Sequence, residues 1–268
     1  MGRCEIVSEE TFKGCLELQI LQLNNVKTVG ISAFSGCCKI SSINLPQCKQ
    51  ISVGAFINCS TLATLSLPCV KTICTNAFSD CNKITSIELP QCEEVGRGAF
   101  KNCNMINAIN FLKIQIVEDF AFSGLSKLTS VTLPKCERIG LKSFANCVIL
   151  KSLNGQSIQM IENNAFENCS ALKFFNIKSV KHIGDSAFAN CCSLQQVDIP
   201  ECETIADMAF SFCSALSFMN AGSVRKLGKQ AFFKCINILS IDMPLCESVG
   251  DGAFRYCSSM KSLHIKSV

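Results

Sequence analysis

The chain of 268 residues has no tryptophan, one tyrosine, two histidines and six prolines. Each scarcity excludes something. His182 and His264 stand at different positions of the chain and far apart, so they are not expected to share a site, and a Cys–His pair would need an exposed thiol beside one of them. No GxGxxG, P-loop, GxSxG or HExxH string occurs. No apolar run approaches the roughly 18–20 residues that a membrane helix needs. Lysine and arginine form no blocks, and the formal net charge of +4 is mild, which gives no support for a nucleic-acid partner. No Pro/Gly/Ser-rich linker divides the chain. The opening MGRCEIVSEE lacks the apolar core of an export signal. The expectation is that the protein is not exported by that route, or that its leader lies outside this sequence.

What is present is a grid. Twelve phenylalanines, from Phe12 and Phe34 through Phe144 to Phe232 and Phe254, recur at a strict spacing of 22 residues. A fixed period of that length marks a solenoid, whose turns bury their apolar faces only against neighbouring turns. The chain is therefore expected to be a single continuous array over 1–268. Counting each grid Phe as position 0, position −1 is Ala in ten of twelve copies, with Thr11 and Ser143 the exceptions. Position +3 is Cys in eleven, Leu125 being the exception. Positions +6, +9, +14 and +17 are apolar or Cys throughout, and the unit reads AFxxCxxLxxIxLPxCxxIGxx. The apolar spacing at −5, −1, 0 and +3 predicts a short helical arc. The alternation at +9 and +11 predicts a short strand with one buried face. All six prolines, Pro46 to Pro244, stand at +12, where a residue without an N–H ends a strand. Gly at +18, as in Gly140 and Gly228, fits a turn before the arc.

Twenty-one cysteines invite a disulfide or zinc reading. Their register points elsewhere. Eleven stand at +3, and six, counting Cys4, stand at +14. Cysteines in apolar columns act as small core hydrophobes, and parallel Cβ vectors on neighbouring rungs are poorly aimed for a bond. A column also supplies a line of ligands rather than a converging set. The expectation is reduced, structural thiols.

The strings GAFINCSTLATLSLP (54–68), NAFSDCNKITSIELP (76–90) and SAFANCCSLQQVDIP (186–200) resemble the BspA-like, or Treponema pallidum type, leucine-rich repeats, and the resemblance spans essentially the whole chain. It implies a leucine-rich-repeat arc of about twelve 22-residue turns, each a short parallel strand plus a short helical or 3-10 segment. It also implies a non-enzymatic protein-binding role, with a protein or glycoprotein ligand, in a family many of whose members are surface proteins linked to adhesion. The richness in Cys at +14 departs from the usual repeat. Together with the opening segment, it keeps an intracellular interaction scaffold as the alternative. No catalytic residue, cofactor or metal is assigned.

Solenoids bind along extended surfaces. With +9 and +11 directed to the core, +8 and +10 face outward, on the expected concave side. Position +10 is polar in every copy, including Asn176, Asp198, Asn220 and Asp242. Position +8 is mostly small, but Phe174 and Phe218 occupy it two turns apart with Gln196 between them. Two aromatics rimmed by polar groups make this the candidate protein-binding site. Cys4 and Val268 share one phase, and neither end carries a polar cap. The expectation is either a slice of a longer array or a protein whose ends stack on something, with end-to-end self-association as one such arrangement.

Overall fold

The structure, a computed structural model, describes residues 4–265. Val268 lies outside the described residues. Each 22-residue period closes one turn of a parallel β-solenoid with two rows of strands. One row takes positions +16 and +17, in twelve two-residue strands running from Ile6–Val7 to Ser248–Val249 and joined in a single parallel sheet. Its register equals the sequence period, Val7 pairing with Val29 and Ile139 with Ile161. The second row takes positions +8 to +10. It is divided into parallel sheets of two, three and five strands. Here the middle residue points inward and its neighbours outward, as in Ser42–Asn44, Ala108–Asn110 and Phe174–Asn176, in accord with the period-two alternation of the sequence. The first row is a finding that the sequence reading lacks. A two-residue strand buries one side chain at +17, so it has no alternation to detect.

The helical arc is a second difference. No helix occurs among the described residues, and hence none long and apolar enough to cross a membrane. Around every grid Phe, both −2 and +2 are left-handed: Lys142 and Asn146 have φ of 50° and 63°, and Ser186 and Asn190 have 53° and 62°. Two such residues four apart cannot belong to an α-helix of L-residues. The arc is instead a run of tight turns. Lys13 N–H donates to Glu10 C=O at 3.1 Å, Cys15 N–H to Phe12 C=O at 3.0 Å, and Leu18 N–H to Cys15 C=O at 3.1 Å. The intervening amides point along the solenoid axis, Phe12 N–H reaching Ala33 C=O and Gly14 N–H reaching Ser35 C=O, both at 2.8 Å. A helix would spend those donors within its own turn and leave neighbouring turns unlinked. The apolar spacing serves either conformation equally, so periodicity alone could not separate them.

The phenylalanine column forms the spine. Successive rings stack at centroid separations between 5.0 and 5.9 Å and are tilted by 2° to 18°. This is the offset-parallel arrangement that aromatic quadrupoles favour. Ten of the twelve rings are fully buried; Phe12 and Phe254, on the end turns, are partly so. Pro46 falls inside the turn closed by Cys48 N–H on Leu45 C=O at 3.2 Å, where its fixed φ is suited to the first corner. Ser143 stands at an alanine position, fully buried, with its hydroxyl unpartnered.

The structure explains why the columns use cysteine rather than alanine. Most buried carbonyls of the spine accept twice; that of Phe100 does not, because the next turn carries Leu125. Phe34 C=O receives Cys37 N–H from its own turn and Cys59 Sγ–H from the next, both at 3.1 Å. The same thiol bond recurs from Cys37 on Phe12 to Cys257 on Phe232, at 3.0 to 3.3 Å. Leu125, the exception at +3, coincides with the widest ring separation, 5.9 Å between Phe100 and Phe122. At +14 the thiols donate to the carbonyl two residues on, as Cys48 does to Gln50 at 3.2 Å. A small apolar side chain with one weak donor fits both columns.

Burial raises these thiols. Cys48 and Cys136 are pushed up to about 11, and Cys92, Cys147 and Cys202 to about 12, in each case chiefly by loss of solvation. An unfolded thiol titrates near 9.0. Above that pH the unfolded state gives up protons that the folded state retains, so stability is complete below about pH 9 and falls as pH climbs through the folded values. The unfolding free energy from urea titrations should hold constant from about pH 7 to 8.5 and then drop, by about 1.4 kcal/mol per raised thiol per pH unit until the folded value of that thiol is reached. A Cys136→Ala chain should lose less per unit. Equal slopes in the two chains would show that the thiols are not the titrating groups.

Candidate functional site

The three strands Phe174–Asn176, Gln196–Asp198 and Phe218–Asn220 lie side by side in one sheet, in register. Phe174 pairs with Gln196 and Gln196 with Phe218. The two phenylalanines therefore flank Gln196 on adjacent strands, about 10 Å apart by strand spacing. Both project to solvent, 48% and 53% exposed, and no corner folds over them. Their inward neighbours anchor the strands. Phe175 is buried and meets Phe188 edge-on at 4.7 Å, and Val197 and then Met219 continue the buried row on the next two strands.

The +10 column runs along one side of the pair. Asn176 faces Asp198, and Asn220 Nδ2 donates to Asp198 Oδ1 at 2.7 Å. Asp242 lies next to Asn220 and approaches His264 Nδ1 at 2.9 Å. So the structure brings Phe174, Gln196, Phe218, Asn176, Asp198, Asn220 and Asp242 onto one continuous outward face. What the arrangement offers is two apolar rings beside amides and carboxylates that can donate and accept. It holds no nucleophile next to a base. His182 bonds Thr204 Oγ1 on the other row at 2.8 Å. Among the described residues, no three His, Cys, Asp or Glu side chains are grouped to hold a metal ion.

Two further features escape the sequence reading. A cavity of about 800 Å³ opens on the two-residue row, lined by Thr72, Glu94 and Ile116 at +16 together with Arg97, Glu93 and Glu118. Near the last turns, Phe212, Phe233 and Tyr256 form an exposed ring cluster with Lys234 and Arg255. The signal for the cluster was in the sequence. Position +2 is Gly, Asn or Asp in the first nine copies and Phe, Lys and Tyr in the last three, but that change carries meaning only once the backbone there is known to be left-handed.

The model of the BspA type leucine rich repeat region matches residues 3–107, 93–217 and 181–268. The chain belongs to the BspA-type leucine-rich-repeat family. Its solenoid is similar to the crystal structure of a leucine-rich repeat protein from Bacteroides ovatus, at TM-score 0.70 and 25% identity over 97% of this chain and 78% of that one. A leucine rich cell surface protein from Faecalibacterium prausnitzii shares the fold at TM-score 0.57 and 21% identity, over 98% and 83% of the two chains. The T. pallidum leucine rich repeat protein does so at 0.50 and 20%, over 70% and 82%. Among curated protein sequences none matches this one.

Proposed function

We propose that this BspA-type protein is a non-enzymatic binding protein of cell-surface or adhesion type, which captures a protein or glycoprotein through the outward face of the three-residue strands. The observation that carries the reading is the pair Phe174 and Phe218, exposed on in-register strands and edged by Asn176, Asp198 and Asn220. Exposed aromatics held on a rigid sheet contribute strongly to binding because little conformational entropy is lost when they are covered. Family membership supports a binding role, and the surface assignment rests on the family resemblance alone. The interior thiols favour the second reading, an intracellular scaffold, because 14 buried cysteines, all unpaired, suit a reducing compartment.

The test is a binding isotherm on immobilised matrix glycoproteins and on host-cell surfaces, with a Phe174→Ser/Phe218→Ser variant alongside. Both rings are exposed, so the variant should fold like the parent. Saturable binding by the parent, weakened at least about tenfold in the variant, is the expected result. Absence of binding to every such surface would move the assignment to the scaffold. Undiminished binding by the variant would remove the site from this face.

A further inference from the structure

The +2 column is left-handed in all twelve turns, because the coil requires it there. Asn190 N–H donates to Ser211 C=O at 2.9 Å, and Phe212 N–H donates to Phe233 C=O at 2.7 Å in the same way. Glycine, asparagine and aspartate tolerate that conformation, and nine turns use them. The last three turns use Phe212, Lys234 and Tyr256, at φ of 61°, 59° and 65°. Bulky side chains are disfavoured there, and the backbone gains nothing in return. Local backbone preference therefore does not explain these three residues.

What they build is a compact surface group. Phe233 meets Phe212 edge-on at 5.3 Å and Tyr256 edge-on at 5.4 Å. Lys234 Nζ lies 5.0 Å from the Phe212 ring centre and 5.5 Å from that of Phe233. Arg255 sits 4.9 Å over Tyr256 and donates to its hydroxyl at 3.1 Å. Phe212 and Tyr256 remain 37% and 54% exposed. Neither Lys234 nor Arg255 is ion-paired among the described residues.

We infer that this cluster is a second binding surface, separate from Phe174 and Phe218, and that its occupant is an acidic segment of a partner protein. Tyrosine, phenylalanine and arginine are the residues enriched at the energetic centres of protein interfaces. The two free cations call for carboxylates. Each ring has a cation within 5.5 Å of its centre and meets its neighbour edge-on, so positive charge and ring edges are presented together. Carboxylates that reach the cations, with apolar side chains between them against the ring edges, match what is presented.

The probe is a fluorescein-labelled dodecapeptide of repeating Glu-Glu-Phe, titrated against the whole chain. Its Lys-Lys-Phe counterpart, a heparin oligosaccharide and phosphatidylserine vesicles are run in parallel. Variants are Phe212→Asn/Lys234→Asn/Tyr256→Asn, which restores the residue type of the earlier turns, and Phe174→Ser/Phe218→Ser. The acidic peptide should bind with an affinity that falls as salt rises, and the triple variant should lose at least about tenfold. The triple variant should melt at the same temperature as the parent or higher, because asparagine suits the conformation better. The Phe174→Ser/Phe218→Ser variant should bind the peptide like the parent, which keeps this site distinguishable from the other. Four results would overturn the inference: no peptide binding at about 1 mM, equal binding by the triple variant, stronger binding to heparin or vesicles than to the peptide, or a clear drop in the melting temperature of the triple variant. The last would make the cluster a structural clamp on the final turns.

Discussion

Replacing Phe144 by alanine is expected to cost about 3–5 kcal/mol of stability. Its ring is fully buried between Phe122 and Phe166, 5.4 Å from each. Truncation would therefore remove the apolar area of a phenylalanine and leave a cavity that two stacked neighbours cannot fill without abandoning their own register. A solenoid has no long-range contacts to redistribute that loss, since each turn touches only the next. The defect should stay local, and amide exchange should rise first in the turns around residue 144. Phe254→Ala on the last turn should cost clearly less, because that ring is only partly buried and stacks on one side alone, against Phe232. Phe174→Ser, on the exposed face, should fall within about 0.5 kcal/mol of the parent. Urea denaturation of the three variants checks the order. Equal costs for Phe144→Ala and Phe254→Ala would mean that the stack does not govern stability.

A comparable loss is expected at a residue with no side chain. A Cβ on Gly228 would lie 2.3 Å from the carbonyl carbon of Ala206 and 2.4 Å from the amide nitrogen of Asp207. These are backbone atoms of the preceding turn, held by the hydrogen bond from Gly228 N–H to Ile205 C=O at 2.7 Å, so they cannot swing aside as a flexible side chain would. Gly228→Ala should cost about 3 kcal/mol, the upper part of the overpacking range, by prying two turns apart. Gly222 supplies the control: nothing lies within 4 Å of its Cβ position and its φ is not left-handed. Gly222→Ala should be neutral or slightly stabilising through the unfolded state. Comparing the two melting temperatures separates close approach of turns from a general effect of losing glycine. If Gly228→Ala melts with Gly222→Ala, the turns have slack that the structure does not show.

The surface ion pairs deserve less weight than either. Arg225 and Glu247, of opposite sign on adjacent turns of the +15 column, meet at 2.8 Å, while Lys181 reaches Glu201 rather than its column neighbour Glu203. All four side chains are substantially exposed, and such pairs contribute about 0–1 kcal/mol each. They bias the register of neighbouring turns without determining it.

The sequence by itself determined the solenoid, its turn length and its spine. Twelve phenylalanines on one interval, with Ala before ten of them and Cys three after eleven, admit no other arrangement that buries them together. The alternation around +9 likewise placed Phe174, Gln196 and Phe218 on one outward face, because side-chain direction in a strand follows parity. Only the tertiary structure decided the rest. The arc between strands has the spacing of a helix but consists of turns, since its amides are used between turns rather than within one, and a hydrogen-bond partner 22 residues away leaves no trace in local periodicity. The two-residue strands were invisible because each buries a single side chain, at +17, and shows no alternation. The cysteine columns read as apolar in sequence, and the structure added their acceptors: a carbonyl of the preceding turn for the +3 thiols from Cys37 onward, and the carbonyl two residues on for the +14 thiols. The Phe212–Tyr256 cluster needed both: the sequence held the change of residue type, and the left-handed backbone showed that the change ran against local preference.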